Sequence, residues 1–251
     1  MAWTPPRYLL ASTIQAAPLG LFWDEQHGAG ILPADGEVME RAYRLSWRAG
    51  LAYSIGVAEW IVYRQLAAFA DPLPAEYLEA AWASVVDLRY SNCGEASWGM
   101  WADDAGWSGP ARGPVRQALR YVDGACSQIF DRNGHVGWVA AHLAALATYV
   151  LPETCVFGNW SRSVLTRLES LYPCDPQDEL GDVVPREALD PGIAFDPGDT
   201  EALVRAFLLS LEPAKNRWLN TAQEMLSPTW GFRDVPYTFD LQQDRASRDR
   251  G

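Results

Sequence analysis

Lysine is almost absent from this chain: Lys215 is the only one, and arginine carries the rest of the positive charge. The 251 residues hold 20 basic and 32 acidic side chains, for a net charge of −12. A field of that sign repels nucleic acid and anionic membranes and attracts cationic partners. Neither a nucleic acid nor a membrane is therefore expected as a partner. Histidine is scarce as well. His27, His135 and His142 make no metal-ligand spacing with Cys93, Cys126, Cys155 and Cys174, and no two cysteines form a CxxC. No metal is expected, and the cysteines read as reduced, buried residues of a cytoplasmic protein. A thiol–imidazole pair of Cys93 with His135 or His142 has no protease-like sequence around it.

Long apolar runs are also missing. The longest uncharged stretch, residues 135–151, sits at the short limit for crossing a bilayer, contains His142 and has no basic flank beside it. It reads as a central helix buried on all sides. Residues 1–22 make a poor signal peptide, with Arg7 behind two prolines and a short apolar run broken by Ser12, Thr13 and Gln15. There is no Walker loop, GxGxxG, HExxH or GxSxG, so no cofactor and no catalytic residue is assigned by motif.

What the chain does hold is helical periodicity and tryptophan. Apolar residues make up 49% and charged ones 21%, which fits a folded domain rather than a disordered chain. Most of the twelve tryptophans are expected in the core, because the indole is large and has one N–H to satisfy. The pattern predicts an all-α single domain of about six helices. The first spans 37–70, with Trp47, Leu51, Ile55, Ala58, Val62, Leu66 and Phe69 on one face. A second stripe of mostly small residues runs from Val38 through Ala42, Leu45, Ala49 and Ala52 to Gly56, so Arg41, Arg44, Arg48 and Glu59 must find water or partners. Further helices are expected over 75–90, 115–130, 135–150, 160–171 and 200–226. The third and fourth should form a hairpin around Asn133-Gly134, and Pro213 should kink or split the sixth. Residues 230–241 are the best strand candidate, and 241–251 read as a frayed tail.

Three places invite a functional reading. The turn-rich loop 91–113 interleaves Trp98, Trp101 and Trp107 with Glu95, Asp103 and Asp104. Rings that stack on a pyranose beside paired carboxylates suit sugar binding or glycoside hydrolysis. The bland alternative is a loop whose tryptophans cap the core. Residues 174–201 hold nine acids and one base, Arg186, and so carry −8 of the −12. With four prolines, this segment is expected to be an extended, exposed linker between a helical core (1–172) and a C-terminal part (200–240). Its acids Asp175, Asp178, Glu179, Asp182, Glu187, Asp190 and Asp196 are the expected contact surface for a basic protein partner. Acidic inhibitors of toxins, of the immunity or antitoxin kind, share this composition by analogy only. The third place is an apolar pocket between the first helix and the third–fourth hairpin, lined by Trp47, Ile55, Trp60, Trp138 and Leu146. The preferred reading is a non-catalytic binding protein. The alternatives are an enzyme acting at the tryptophan-rich loop and a helical carrier of a small ligand.

Overall fold

A computed structural model describes residues 5–10, 14, 23, 33–65, 72–94, 107–153, 156–226 and 237–248. Among these the fold is all-α, with ten α-helices, three short 3-10 turns and no strand. The helices are α1 (Arg7–Leu10), α2 (Gly36–Ala42), α3 (Trp47–Gln65), α4 (Leu73–Val86), α5 (Gly109–Phe130), α6 (Val136–Val150), α7 (Phe157–Leu171), α8 (Thr200–Ser210), α9 (Ala222–Met225) and α10 (Leu241–Arg248). No described helix is long and apolar enough to cross a membrane.

Helix α3 is the axis of the fold. Residues 48–62 are all buried, among them the members of both apolar stripes from Ala49 to Val62, and α4, α5, α6 and α7 pack around them. Small residues let these neighbours approach. A Cβ on Gly56 would lie 2.5 Å from Leu189 Cδ2 and 3.1 Å from the Trp160 ring. Tyr8, Tyr53 and Trp60 meet Phe157 and Trp160 in an aromatic cluster with ring centroids 5.2–6.2 Å apart. Tyr53 shares a hydrogen bond of 2.7 Å with Ser161, which satisfies its buried hydroxyl.

The hairpin of α5 and α6 follows its sequence signals. Gly134 takes φ +64° in the turn, and α6 stops before Pro152. Helix α8 ends at Ser210, three residues short of Pro213.

The single helix expected over 37–70 is instead two. It breaks at residues 43–46, where segment 172–181 crosses. Ser46 N donates to Tyr172 O (3.0 Å), Trp47 N to Glu179 O (2.8 Å) and Arg48 N to Leu180 O (3.2 Å), while Cys174 N donates to Arg44 O (2.7 Å). The crossing segment thus takes up the N–H groups that open every helix without a partner.

That segment belongs to a strap, residues 173–199, which departs from the extended linker expected. Val183, Val184, Ala188 and Leu189 are buried, the turn 186–189 lies against α3 and α7, and this burial overcomes the extending effect of like charges. Arg167 of α7 clamps the strap by donating to the carbonyls of Ala188 (3.2 Å), Asp190 (2.7 Å) and Ile193 (3.0 Å). The chain beyond 241 also departs from expectation, forming α10. The buried Arg48 fork holds Asp244 at 2.9 and 3.0 Å, and Arg245 pairs with Asp182. Of the strand candidate, residues 230–236 lie outside the described residues, and 237–240 form no strand.

Gly181 has φ +72°, and a Cβ there would overlap that of Ser46. Gly181→Ala should therefore lower the unfolding free energy by about 3 kcal/mol, from the left-handed backbone and the overpacking together. Urea unfolding checks this. Adding Ser46→Gly should recover the overpacking part only, and full recovery or no initial loss would contradict the crossing geometry.

Candidate functional site

Glu59 lies on α3 among apolar neighbours, 0% exposed. A carboxylate in such a place must be paired and hydrogen-bonded. Donors converge on it from three elements. Trp82 Nε1 on α4 donates to Oε1 at 2.9 Å, Arg186 Nη2 on the strap donates to the same oxygen, and the Tyr8 hydroxyl on α1 donates to Oε2. Arg186 begins a 3-10 turn (Arg186–Leu189) that follows the fixed backbone of Pro185. The turn is anchored where Leu189 O accepts from Trp160 Nε1 at 2.9 Å.

Ionisation follows from these contacts. Burial, reinforced by the negative charge of Glu59, pushes the Tyr8 phenol well above its usual range. Burial alone would lower Arg186, but Glu59 and the Tyr8 oxygen outweigh it, so the guanidinium is held more firmly protonated.

Beside this cluster lies a cleft of about 230 Å³ between the end of α4, the strap and α8. Trp82 and Arg186 form part of its wall, so the network on Glu59 underlies one side of it. The Arg186 Nε is buried and meets no acceptor among the described residues.

The strap's outer side carries the acids. Asp175, Glu179, Glu187 and Asp196 are exposed, and Asp178 and Asp182 are half-buried. Asp175 Oδ1 accepts from Gln177 N (2.9 Å), and Asp178 Oδ1 from Gly181 N (3.2 Å). Asp182 pairs with Arg245, and Asp196 Oδ1 caps Gly198 N (2.8 Å). Asp190 has the opposite placement to a docking residue. It is 8% exposed and spends Oδ1 on Gly192 N at 2.8 Å.

The other sequence candidates fare differently. Glu95, Trp98, Trp101, Asp103 and Asp104 lie outside the described residues. Trp107 is half-buried and packs against the core. Of the residues expected to line a pocket between the first helix and the hairpin, Ile55, Trp60 and Leu146 are buried core residues, and Trp47 packs partly buried against the core. Trp138 faces outward at 46% exposure, its ring tilted by 40° against that of His142 with centroids 3.9 Å apart. The thiol of Cys93 meets that of Cys126 rather than a histidine. This contact and burial push the Cys126 thiol well above its usual range, unlike an activated nucleophile. Among the described residues no group of three His, Cys, Asp or Glu side chains could hold a metal ion.

Sequence reasoning marked Arg186 only as the lone base among nine acids and Glu59 only as a charge needing a partner. Those two oddities, one in an acidic segment and one in an apolar helix, were the available signal for the pair. Comparison with protein-family models, curated proteins and solved structures finds no match.

Arg186→Met strands a buried carboxylate and should cost about 3 kcal/mol, the low end for breaking a buried pair because Arg186 is 28% exposed. The double variant Glu59→Gln/Arg186→Met removes the stranded charge and should lose less than Arg186→Met alone. Denaturant midpoints decide, and a double variant weaker than the single would count against the pairing.

Tyr8 and Tyr77 are raised by burial, and Tyr172 is raised to about 12 for the same first reason. A phenol raised in the folded state contributes stability that is intact below its unfolded value of about 10 and lost as pH climbs toward the folded value. The thermal midpoint should therefore start to fall above about pH 10, and Tyr8→Phe should flatten that fall. An identical alkaline slope in the variant would remove Tyr8 from this role.

Proposed function

We propose that the protein is a non-catalytic binding protein that docks a basic protein partner on the outer face of the strap. The observation that carries this reading is the strap's two-sidedness. Its apolar side chains and three carbonyls are held against the helical core, while Glu179, Glu187 and Asp199 project exposed carboxylates that accept no hydrogen bond from the described residues. Charges on a fixed element are presented without the ordering cost that a floppy acidic loop would incur on binding. Their potential speeds encounter with a cationic surface and sets its register. A basic toxin neutralised by this protein is one such partner.

The buried groups favour binding over catalysis. Three donors hold the Glu59 carboxylate, two on Oε1 and one on Oε2, so it is a fixed clamp. Burial and its neighbouring thiol keep Cys126 protonated.

The test uses a small basic protein, cytochrome c, as the cationic probe, with affinity measured by calorimetry. Glu179→Gln, Glu187→Gln and Asp199→Asn together should weaken binding by about tenfold or more at low salt, and added salt should erase the difference. The same number of neutralisations at Glu37, Asp131 and Glu153, exposed acids on other elements, should leave affinity within about twofold. Equal losses from both sets, or none from the first, would overturn the reading.

A further inference from the structure

The cleft between α4, the strap and α8 is an apolar groove that shares Glu187 with the acidic face. Helix α8 turns Leu203, Ala206 and Phe207 toward it, at the three- and four-residue steps that place side chains on one helix face. Trp82 and Val86, four apart on α4, and Val184 of the strap add to the lining. Ala206 is exposed and Leu203 and Phe207 are half-buried, so this face of α8 stays open among the described residues. An apolar helix stripe is ordinarily covered by another element. A groove lined at helical steps suits an amphipathic helix laid along it, with anchor side chains at matching steps.

Charge decides what the other face of that helix must be. Glu187 stands in the groove wall and Asp199 immediately precedes α8, both exposed and both accepting no hydrogen bond from the described residues. The neighbouring cations are already engaged, Arg186 by Glu59 and Arg205 of α8 by Glu201 (2.8 Å). The charge left over beside the groove is therefore negative, on a chain of net −12. An acidic helix would be repelled, and a second copy of this chain would bring the same carboxylates against these. A cationic helix meets complementary charge at the rim and apolar surface between.

We propose that the groove and the acidic strap form one docking surface, which the partner enters as a cationic amphipathic helix. Its apolar side chains lie between α4 and α8, and its lysine or arginine side chains reach Glu187 and Asp199. This rests on the docking reading above and names the kind of segment the partner presents. The division of labour is physical: ion pairs open to water contribute little affinity, whereas a few apolar anchors in a groove contribute most of it.

Two peptides of about fourteen residues, composed of the same leucines and lysines, test this on the full chain. In one the leucines recur at three- and four-residue steps; in the other the order is shuffled so that no face is apolar. Calorimetry follows both, with cytochrome c as the probe of the charged face alone. The amphipathic peptide should bind about tenfold more tightly than the shuffled one. Ala206→Gln puts an uncharged polar chain on the exposed groove face and should bring the two peptides to within about twofold, while cytochrome c binding and the thermal midpoint hold. Leu209→Gln, at an exposed position of α8 outside the groove lining, should leave the preference intact. Equal binding of the two peptides, a preference that survives Ala206→Gln, or one lost with Leu209→Gln would each overturn the groove. The acidic face would still stand if cytochrome c continued to respond to the neutralisations at Glu179, Glu187 and Asp199. Cytochrome c binding indifferent to those neutralisations would remove the acidic face itself, and this inference with it.

Discussion

A carboxylate with no exposure to water sits about two thirds of the way along the central helix, and the arrangement around it follows from that placement. Glu59 draws a tyrosine from α1, an indole from α4 and a guanidinium from the strap, across sequence separations of 51, 23 and 127 residues. A buried pair of this kind adds little net stability over a well-packed apolar replacement, yet leaving either member alone is expensive. The pair therefore penalises arrangements in which the strap lies elsewhere, and it places Leu189 where only a glycine at position 56 leaves room. The strap in turn supplies the carbonyls that open α3. The central helix and its clasp thus each depend on the other.

From this clasp the acidic face and the cleft both follow. The strap has one face committed to the core by Val183, Val184, Ala188 and Leu189, and its carboxylates have mostly nowhere to go but outward. Asp190 is the exception because a local turn to Gly192 satisfies it inside. Where the strap passes α8, the two do not close completely, and the gap beside Arg186 is the cleft. Acidity outside and an apolar gap at the edge are thus two consequences of one segment being held down at a few points.

Much of this fold was legible from periodicity, because helices, hairpins and their stops are local. Asn133-Gly134 and Pro152 bound α6, Pro213 ends the run begun by α8, and the need of Arg41, Arg48 and Glu59 for partners was met by Glu169, Asp244 and Arg186. What periodicity hid was tertiary. Within residues 43–46 only Ser46, whose Oγ accepts from Ala49 N (3.4 Å), marks a helix start; the rest of the interruption is made by backbone groups arriving from 172–180. In the strap, apolar pairs at 183–184 and 188–189 were outnumbered by acids. Composition read the segment as solvated, whereas four well-placed side chains and one arginine from α7 were enough to bury its inner face. The candidate site was half visible for the same reason: each member of the Glu59–Arg186 pair looked out of place, but no local rule joins them.

The division between clamp and cleft also bears on why Arg186 is an arginine. A lysine could neutralise Glu59, but its ammonium is a single point, whereas a guanidinium presents separate N–H groups in a fixed plane. Here one of them closes the ion pair and another is buried without an acceptor among the described residues. If pairing alone were required, the leftover group would be a pure cost, since a buried donor without an acceptor opposes folding.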